Sequence, residues 1–386
     1  MSNRVRAGNK VSLLQSGTEY FPALLEAIDA AHTEVLLETY IFAHDATADR
    51  IATALRNAAM RGVTVRLMVD GFGGRGFVHD TMPDLAADGV EVLIFRREAS
   101  LFSTRRQRLR RLHRKLACVD GQLAFVGGIN IIDDLDTPGH IPPRFDYAVR
   151  IEGPLVADVQ YAMIQLWRRI CWANFRRHPP MQHWVRPSFR PKGSVVASLL
   201  IRDNLRYRAT IENAYLDMLA TASDEILIAN AYFLPGRRFR HALISAAKRG
   251  VRVTLLLQGR VEYWLLHHAT RALYPYLLSN KIRIFEYKHG FLHAKVAIAD
   301  GWWATVGSSN IDPFSLLLAR EANIVIHDSQ FAQQLGASLN RAIQNNTIEL
   351  QEQDWQHQPL LRRLLSWFAL GAVRLMLGLA GFRRLH

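Results

Sequence analysis

His113-Arg-Lys115-Leu-Ala-Cys-Val-Asp120-Gly-Gln-Leu-Ala-Phe-Val-Gly127-Gly128-Ile-Asn130 has a second copy 180 positions on: His293-Ala-Lys295-Val-Ala-Ile-Ala-Asp300-Gly-Trp-Trp-Ala-Thr-Val-Gly307-Ser308-Ser-Asn310. The gaps between the shared residues match one for one. In each copy the stretch from His to Asp alternates and is largely apolar. Residues i and i+2 of a strand share a face, so each His projects with its Lys from one strand end. Asp-Gly then signals a two-residue hairpin turn. A second apolar strand follows and ends on Gly127-Gly128 or Gly307-Ser308, where small residues let an oxyanion approach the backbone. Asn130 and Asn310 add amide donors, and Lys115 and Lys295 add compact positive charge. The duplication predicts one site of pseudo-two-fold symmetry, with a His and a Lys from each half on the same phosphate.

The repeat extends beyond the motifs. Glu34-Val-Leu-Leu-Glu-Thr-Tyr40-Ile-Phe is echoed by Glu225-Ile-Leu-Ile-Ala-Asn-Ala-Tyr232-Phe. Each is followed by a helical stretch closing on Arg61-Gly62-Val63 or Arg249-Gly250-Val251, with glycine where a helix C-terminus favours it. Ile51, Leu55 and Ala59 step by four along the first helix and leave Arg50, Arg56 and Asn57 on the other face. Strands are expected next, at 64–69 and 252–257. This alternation predicts an α/β fold of two pseudo-symmetric domains, each a mostly parallel mixed sheet flanked by helices. Pro179, Pro180, Pro187 and Pro191 mark the break between them. The expected division is a first domain at 10–178, a linker at 179–194, a second domain at 195–348, and a C-terminal segment at 359–386.

Composition narrows the setting. The chain has 386 residues, 49% hydrophobic, with two cysteines, so no disulfide framework is implied. Cys118 reads as a small buried thiol. No apolar run follows the N-terminal charges, so no signal peptide is expected. Lys and Arg number 48 against 34 Asp and Glu, a formal charge of +14 that favours a polyanionic partner. Nine basic residues lie between Arg96 and Lys115, interleaved with Leu101, Phe102, Leu109 and Leu112 and opposed by Glu98 alone. They read as a basic amphipathic segment against anionic headgroups. Leu364 to Phe382 is apolar apart from Ser366 and Arg374, between Arg362-Arg363 and Arg383-Arg384. As helix it would reach about 28 Å. A central Arg374 costs about 2.5–3.5 kcal/mol on insertion, so a helix lying on the interface is expected rather than a span.

These residues resemble the duplicated His-x-Lys-x4-Asp-x6-Gly-(Gly/Ser)-x-Asn hallmark of the phospholipase D superfamily, over nearly the whole chain. Asn230-Ala-Tyr-Phe, Val306-Gly-Ser-Ser-Asn and Glu321-Ala-Asn look most like the short, type B branch of the bacterial cardiolipin synthases. The longer branch carries two N-terminal membrane spans, and the opening Met1-Ser-Asn-Arg-Val-Arg-Ala-Gly-Asn-Lys10, with no apolar run, makes the short branch the expected one. The resemblance implies catalytic roles for His113, Lys115, Asp120, His293, Lys295 and Asp300, and phosphate contacts from Asn130, Asn310, Gly128 and Ser308. Asp146 and Glu321 by themselves read as ordinary strand-end carboxylates. The resemblance makes them the acids that orient the imidazoles. It also implies a phosphatidyl-histidine on His113, with His293 as acid and then base, and transfer from one phosphatidylglycerol to another. Residue chemistry alone does not separate the two histidines. No cofactor or metal is expected, since two lysines can hold the phosphate and His267, His268 and His289 lack ligand partners at suitable spacing. The expected partners are anionic phospholipids (phosphatidylglycerol, with phosphatidylethanolamine a second possible donor) and a membrane surface, at the cytoplasmic face of a bacterial inner membrane. No nucleic acid is expected. Lipid hydrolysis, nuclease activity and non-catalytic membrane binding are the alternatives.

Overall fold

The computed structural model describes residues 4–96, 110–137, 141–175, 184–203, 206–261, 263–353 and 360–379. The first half supplies β1 (Val5–Gln15), β2 (Glu34–Thr39), β3 (Thr64–Asp70), β4 (Glu91–Phe95), β5 (Lys115–Val119), β6 (Leu123–Gly127), β7 (Ile141–Phe145) and β8 (Tyr147–Glu152). The second supplies β9 (Val195–Arg202), β10 (Glu225–Asn230), β11 (Arg252–Gln258), β12 (Arg283–Tyr287), β13 (Gly290–Leu292), β14 (Lys295–Ala299), β15 (Trp303–Gly307), β16 (Glu321–His327) and β17 (Thr347–Leu350). All but β7 and β13 join one sheet, ordered β17-β12-β11-β10-β14-β15-β16-β9-β1-β8-β6-β5-β2-β3-β4. β1 and β9 meet antiparallel at the seam, Val5 opposite Ser198. Outward from it six strands of each half match one for one, and the second half adds β17 at its edge.

The sheet is mixed, as expected, but its parallel part is smaller than the strand–helix–strand pattern implied. β2, β3 and β4 pair in parallel, as do β10, β11 and β12. The motif strands are antiparallel to their neighbours, because a hairpin joins β5 to β6 and another joins β14 to β15. Every residue of β5 and of β14 is buried. The reason is that the sheet is covered on both sides. One face of each half meets a shared core with the helices Val156–Ala173 and Ser329–Asn346. The opposite faces carry a separate outer core in each half.

Local chemistry matches the reading at the helix ends. Val63 N–H donates to Ala58 O (3.1 Å) and Gly62 N–H to Ala59 O (2.9 Å), with Gly62 at φ +87°. Val251 and Gly250 repeat this on Ala246 and Ala247, with Gly250 at φ +94°. These bonds close the last helical turn, and the left-handed residue is where glycine costs least.

The motif aspartates belong to the turns. Asp120 and Gly121 lie at φ +50° and +62°, Asp300 and Gly301 at +49° and +66°. Gln122 N–H closes the first turn on Val119 O (3.0 Å), and one further residue enters the connection, leaving Val119 opposite Leu123. The Asp120 carboxylate accepts from the backbone N–H groups of His32 (2.9 Å), Thr33 (2.8 Å) and Glu34 (2.8 Å) and from the Thr33 hydroxyl (2.6 Å). Asp300 does the same for Ser223, Asp224 and Glu225. Burial works against the charge, but these bonds outweigh it and hold both acids below their ordinary pKa. Their catalytic assignment is therefore corrected. Each stands past the far end of a five-residue strand from its Lys, roughly 16 Å away at 3.3 Å per residue, and anchors the loop that enters β2 or β10.

Two other expectations are modified. Of the basic segment, residues 97–109 lie outside the described residues, and Arg114 does not face solvent. It is buried, with its guanidinium forked on Glu38 at 2.5 and 2.8 Å. Of the linker, 179–183 lies outside the described residues, while the part from Trp184 on packs on the first half. Trp184 lies 4.2 Å under the Arg66 guanidinium, and Gln160 donates to Val185 O (2.9 Å).

The C-terminal helix Leu360–Leu379 buries Ser366, Ala369, Leu370 and Val373 on the second half, against the helix Trp264–Arg271. Leu364, Trp367, Phe368 and Leu375 point outward and are exposed. Among the described residues no helix is long and apolar enough to cross a membrane.

Asp120→Ala removes four hydrogen bonds to a charged acceptor. Unfolding by denaturant should show a loss of about 2–3 kcal/mol, with turnover per folded molecule kept. A large loss of turnover at normal stability would return this aspartate to the chemistry.

Candidate active site

Each motif histidine is held by the opposite half. The segment before His293, β13, pairs in parallel with β7, which leads to Asp146. Leu112, before His113, forms a parallel bridge with Arg320, before Glu321. The His113 N–H donates to Arg320 O at 2.9 Å, and its Nδ1 lies 3.0 and 3.1 Å from the two Glu321 oxygens. The His293 N–H donates to Phe145 O at 2.9 Å, and its Nδ1 lies 2.6 Å from Asp146 Oδ2. Both carboxylates are buried. A carboxylate beside Nδ1 places the proton on that nitrogen and leaves the Nε2 lone pair available.

Lys115 and Lys295 are 3% and 0% exposed, so neither charge is hydrated by bulk water. Lys115 Nζ donates to His113 O (2.7 Å). Lys295 Nζ donates to His293 O and lies 3.5 Å from Asp146 Oδ2. Burial pushes the Lys115 ammonium down to about 7, with Lys295 adding to the effect and Glu321 opposing it. Burial also lowers His113, and lowers His293 to about 3, with Lys295 the next cause. Asp146 is pulled below its ordinary value: burial would raise it, but Lys295 and His293 prevail. The site without ligand thus holds neutral imidazoles beside crowded cations. It is built to gain from an incoming anion.

Asn130 Oδ1 accepts from Ile41 N–H (3.2 Å) and Asn310 Oδ1 from Tyr232 N–H (3.4 Å), which leaves each Nδ2 as the donor. Gly128 and Ser308 were expected to bind phosphate, and the structure corrects this. Their N–H groups donate to Tyr147 O (2.9 Å) and Ala322 O (3.0 Å). Ser308 Oγ donates to Glu321 Oε2 (2.5 Å), and a Cβ on Gly128 would lie 2.4 Å from Asp146 Oδ1. Both positions therefore serve the carboxylates.

Sequence reading missed two rings. Tyr40 lies 4.9 Å from the His113 ring, with Lys115 Nζ 5.5 Å from its centroid. Phe291 stacks on His293 at 5.8 Å. The i, i+2 rule could have found Phe291, but its counterpart is Arg111, so comparing the repeats hides it. The crossing of the acids between halves had no signal in either copy taken alone.

A domain family described as "Cardiolipin synthase, PLD-like domain" matches residues 24–135 and 215–343. The chain is 39% identical over 357 residues to cardiolipin synthase B of Shigella flexneri, covering 90% of this chain and 83% of that one. It has the same identity and coverage with cardiolipin synthase B of Escherichia coli strain K12. Among solved structures, phosphatidylserine synthase of Haemophilus influenzae Rd KW20 superposes with a TM-score of 0.71 at 14% identity, over 95% of this chain and 94% of that one, a likeness of fold. The chain belongs to the phospholipase D-like cardiolipin synthase family.

The methyl of Gly128→Ala cannot share space with the Asp146 carboxylate. The downfield Nδ1–H resonance of His293 should move in proton NMR while that of His113 stays. Two unshifted resonances would mean that the acid can retreat without releasing the ring.

Proposed function

We propose that the protein is a phosphatidyltransferase that makes cardiolipin from two molecules of phosphatidylglycerol, with release of glycerol. The observation that carries this is the crossed clasp: two imidazoles, each fixed by the other half's carboxylate, beside two buried lysines. Family membership supports the lipid assignment.

Phosphodiesters resist nucleophiles because their own charge repels them, so that charge has to be neutralised first. Lys115, Lys295 and the amides of Asn130 and Asn310 hold the non-bridging oxygens. His113 Nε2 attacks phosphorus, the P–N bond forms, and the P–O bond to glycerol breaks. His293, which takes up a proton as the anion binds, gives it to the leaving alkoxide. The hydroxyl of a second phosphatidylglycerol then attacks. Its proton returns to His293, the P–N bond breaks, and His113 is restored. One phosphodiester replaces another, so no nucleotide is consumed. Asp146 and Glu321 fix the reactive tautomers and stabilise the positive charge each ring carries in turn. The outward Leu364, Trp367 and Phe368 of the C-terminal helix suit a bilayer surface, where the donor resides.

His113→Ala and His293→Ala should each abolish cardiolipin formation on phosphatidylglycerol vesicles, read by mass spectrometry. In the unaltered enzyme, quenched within one turnover of a brief pulse of labelled lipid, a phosphatidyl adduct should be found on His113. Near-normal synthesis by either variant sinks the shared site, an adduct on another residue sinks the role assignment, and phosphatidic acid as the main product favours hydrolysis.

A pH profile tests the electrostatics. Lys115 has to be protonated to hold phosphate, and in the free site its pKa is about 7. The proton that His293 must take up already makes kcat/KM, which reports the free enzyme, decline as pH rises, and loss of the Lys115 proton should steepen that decline above about pH 7. The acid limb should lie below the ordinary histidine value, because burial lowers His113. Bound phosphate raises Lys115, so kcat should hold to higher pH. A decline in kcat/KM that has not steepened by pH 9 would remove Lys115 from anion binding.

A further inference from the structure

Glu321, the acid that meets His113, is the first residue of β16 and pairs with Arg202, the last residue of β9. Residues directly opposite in an antiparallel pair point to one face, with Cβ atoms about 4.5–5.5 Å apart. Alternation fixes which face. Ala197 and Leu199 of β9, and Ala322, Ile324 and Ile326 of β16, point into the shared core. Arg202 and Glu321 therefore point away from it, to the side where Glu321 meets His113. Both are buried, at 1% and 0% exposed. The Arg202 guanidinium donates to Ala319 O, two residues before Glu321. One carboxylate thus sits among the His113 ring, the Ser308 hydroxyl and a buried guanidinium on the neighbouring strand.

The first half has no cation at the matching place. β1 and β8 set Gln15 opposite Tyr147, and β9 and β16 set Ile201 opposite Ala322. One step further, Ser16 stands to Asp146 as Arg202 stands to Glu321, and the Ser16 N–H donates to Asp146 O at 2.8 Å. The scaffold therefore does not demand an arginine there. The cation near Asp146 is instead Lys295, at 3.5 Å. The two cations differ in what a substrate does to them. Lys295 is placed to hold phosphate, and a bound anion offsets its charge. Arg202, buried and tied to Ala319, keeps its charge beside Glu321 throughout. With substrate in place, His293 is relieved of its neighbouring cation and can take up a proton. His113 still faces a carboxylate that a guanidinium partly offsets.

We propose that Arg202 is a positioning residue that anchors Glu321 and so marks out His113 as the ring that stays neutral and attacks. The proposal rests on the transferase reading with His113 as nucleophile. Burial lowers the Arg202 pKa to about 10, with Glu321 and Asp203 opposing and Arg208 and Arg110 adding to the effect, so the guanidinium is charged at neutral pH. The other charges that bear on His113 are those of Glu321, Lys115 and Lys295.

The pH dependence of kcat on phosphatidylglycerol vesicles tests this in Arg202→Gln and Arg202→Lys. Arg202→Met, which fills the space without a polar head, is the second neutral variant should the first not fold. Removing a cation raises the proton affinity of the His113–Glu321 pair, whichever member takes the proton. The acid limb of kcat, which reports the bound complex, should therefore move up by about one pH unit in a neutral variant. It should return to its place in Arg202→Lys, and the alkaline limb should not move in either. In proton NMR the downfield Nδ1–H resonance of His113 should shift in the neutral variant while that of His293 stays. An unmoved acid limb in a folded neutral variant, or an equal shift in Arg202→Lys, would overturn the role of Arg202 and leave the transferase reading standing. Cardiolipin formed through an adduct on His293 in the unaltered enzyme would overturn the assignment of the rings, and the role of Arg202 with it.

Discussion

The structure depends on an exchange of acids. Glu321 from the second half clasps His113 of the first, and Asp146 from the first clasps His293 of the second. Neither half can build an oriented imidazole alone. Backbone bonds repeat the exchange, His113 N–H on Arg320 O and His293 N–H on Phe145 O. The seam between β1 and β9, and the core shared by Leu116, Val126, Val296 and Val306, hold the halves in the register that these bonds need. A misregistered seam would strand two buried carboxylates and two buried lysines, which is a heavy penalty in a dry interior. The electrostatics of the site thus help to specify the packing that creates it.

Much of this was legible in the sequence. Period-two alternation and the Asp-Gly pair located the motif hairpins, and Gly62 and Gly250 marked the helix ends. The repeat itself announced one shared site. What could not be read were contacts between residues far apart in the chain. Asp120 looked catalytic because the motif contains it, whereas the hydrogen bonds that occupy it come from residues 32–34, visible only once β2 lies beside β5. Arg114 looked like surface charge because its counter-ion, Glu38, is 76 positions away. Gly128 and Ser308 looked like phosphate contacts because small residues permit close approach. The structure uses that space for carboxylates instead.

The paired lysines explain why the site is unsatisfied without ligand. Two ammonium groups and two imidazoles share a volume from which bulk water is nearly excluded, with Asp146 and Glu321 beside the rings and Asp70 farther off to balance them. Deprotonation of the histidines, and partial deprotonation of Lys115, relieves that crowding. In the proposed mechanism an entering phosphodiester replaces this relief with a real counter-ion and draws protons back onto nitrogen. Binding and arming of the acid are then one event, with no separate base required.

Near-symmetry suits a reaction whose second step is the first in reverse. In the proposed transfer a glycerol alkoxide leaves, a glycerol hydroxyl arrives, and the same acid–base pair handles both. A perfectly symmetric site, however, would have no means of telling donor from acceptor. The symmetry is broken where it touches the histidine supports. Phe145 stacks on Tyr287 behind His293, while Arg320 lays a guanidinium over Phe95 behind His113. The residues that hold the two rings are equivalent in backbone and opposite in side chain. Chemistry common to both steps resides in the shared bonds, and the two ring supports cease to be equivalent only in the side chains that differ.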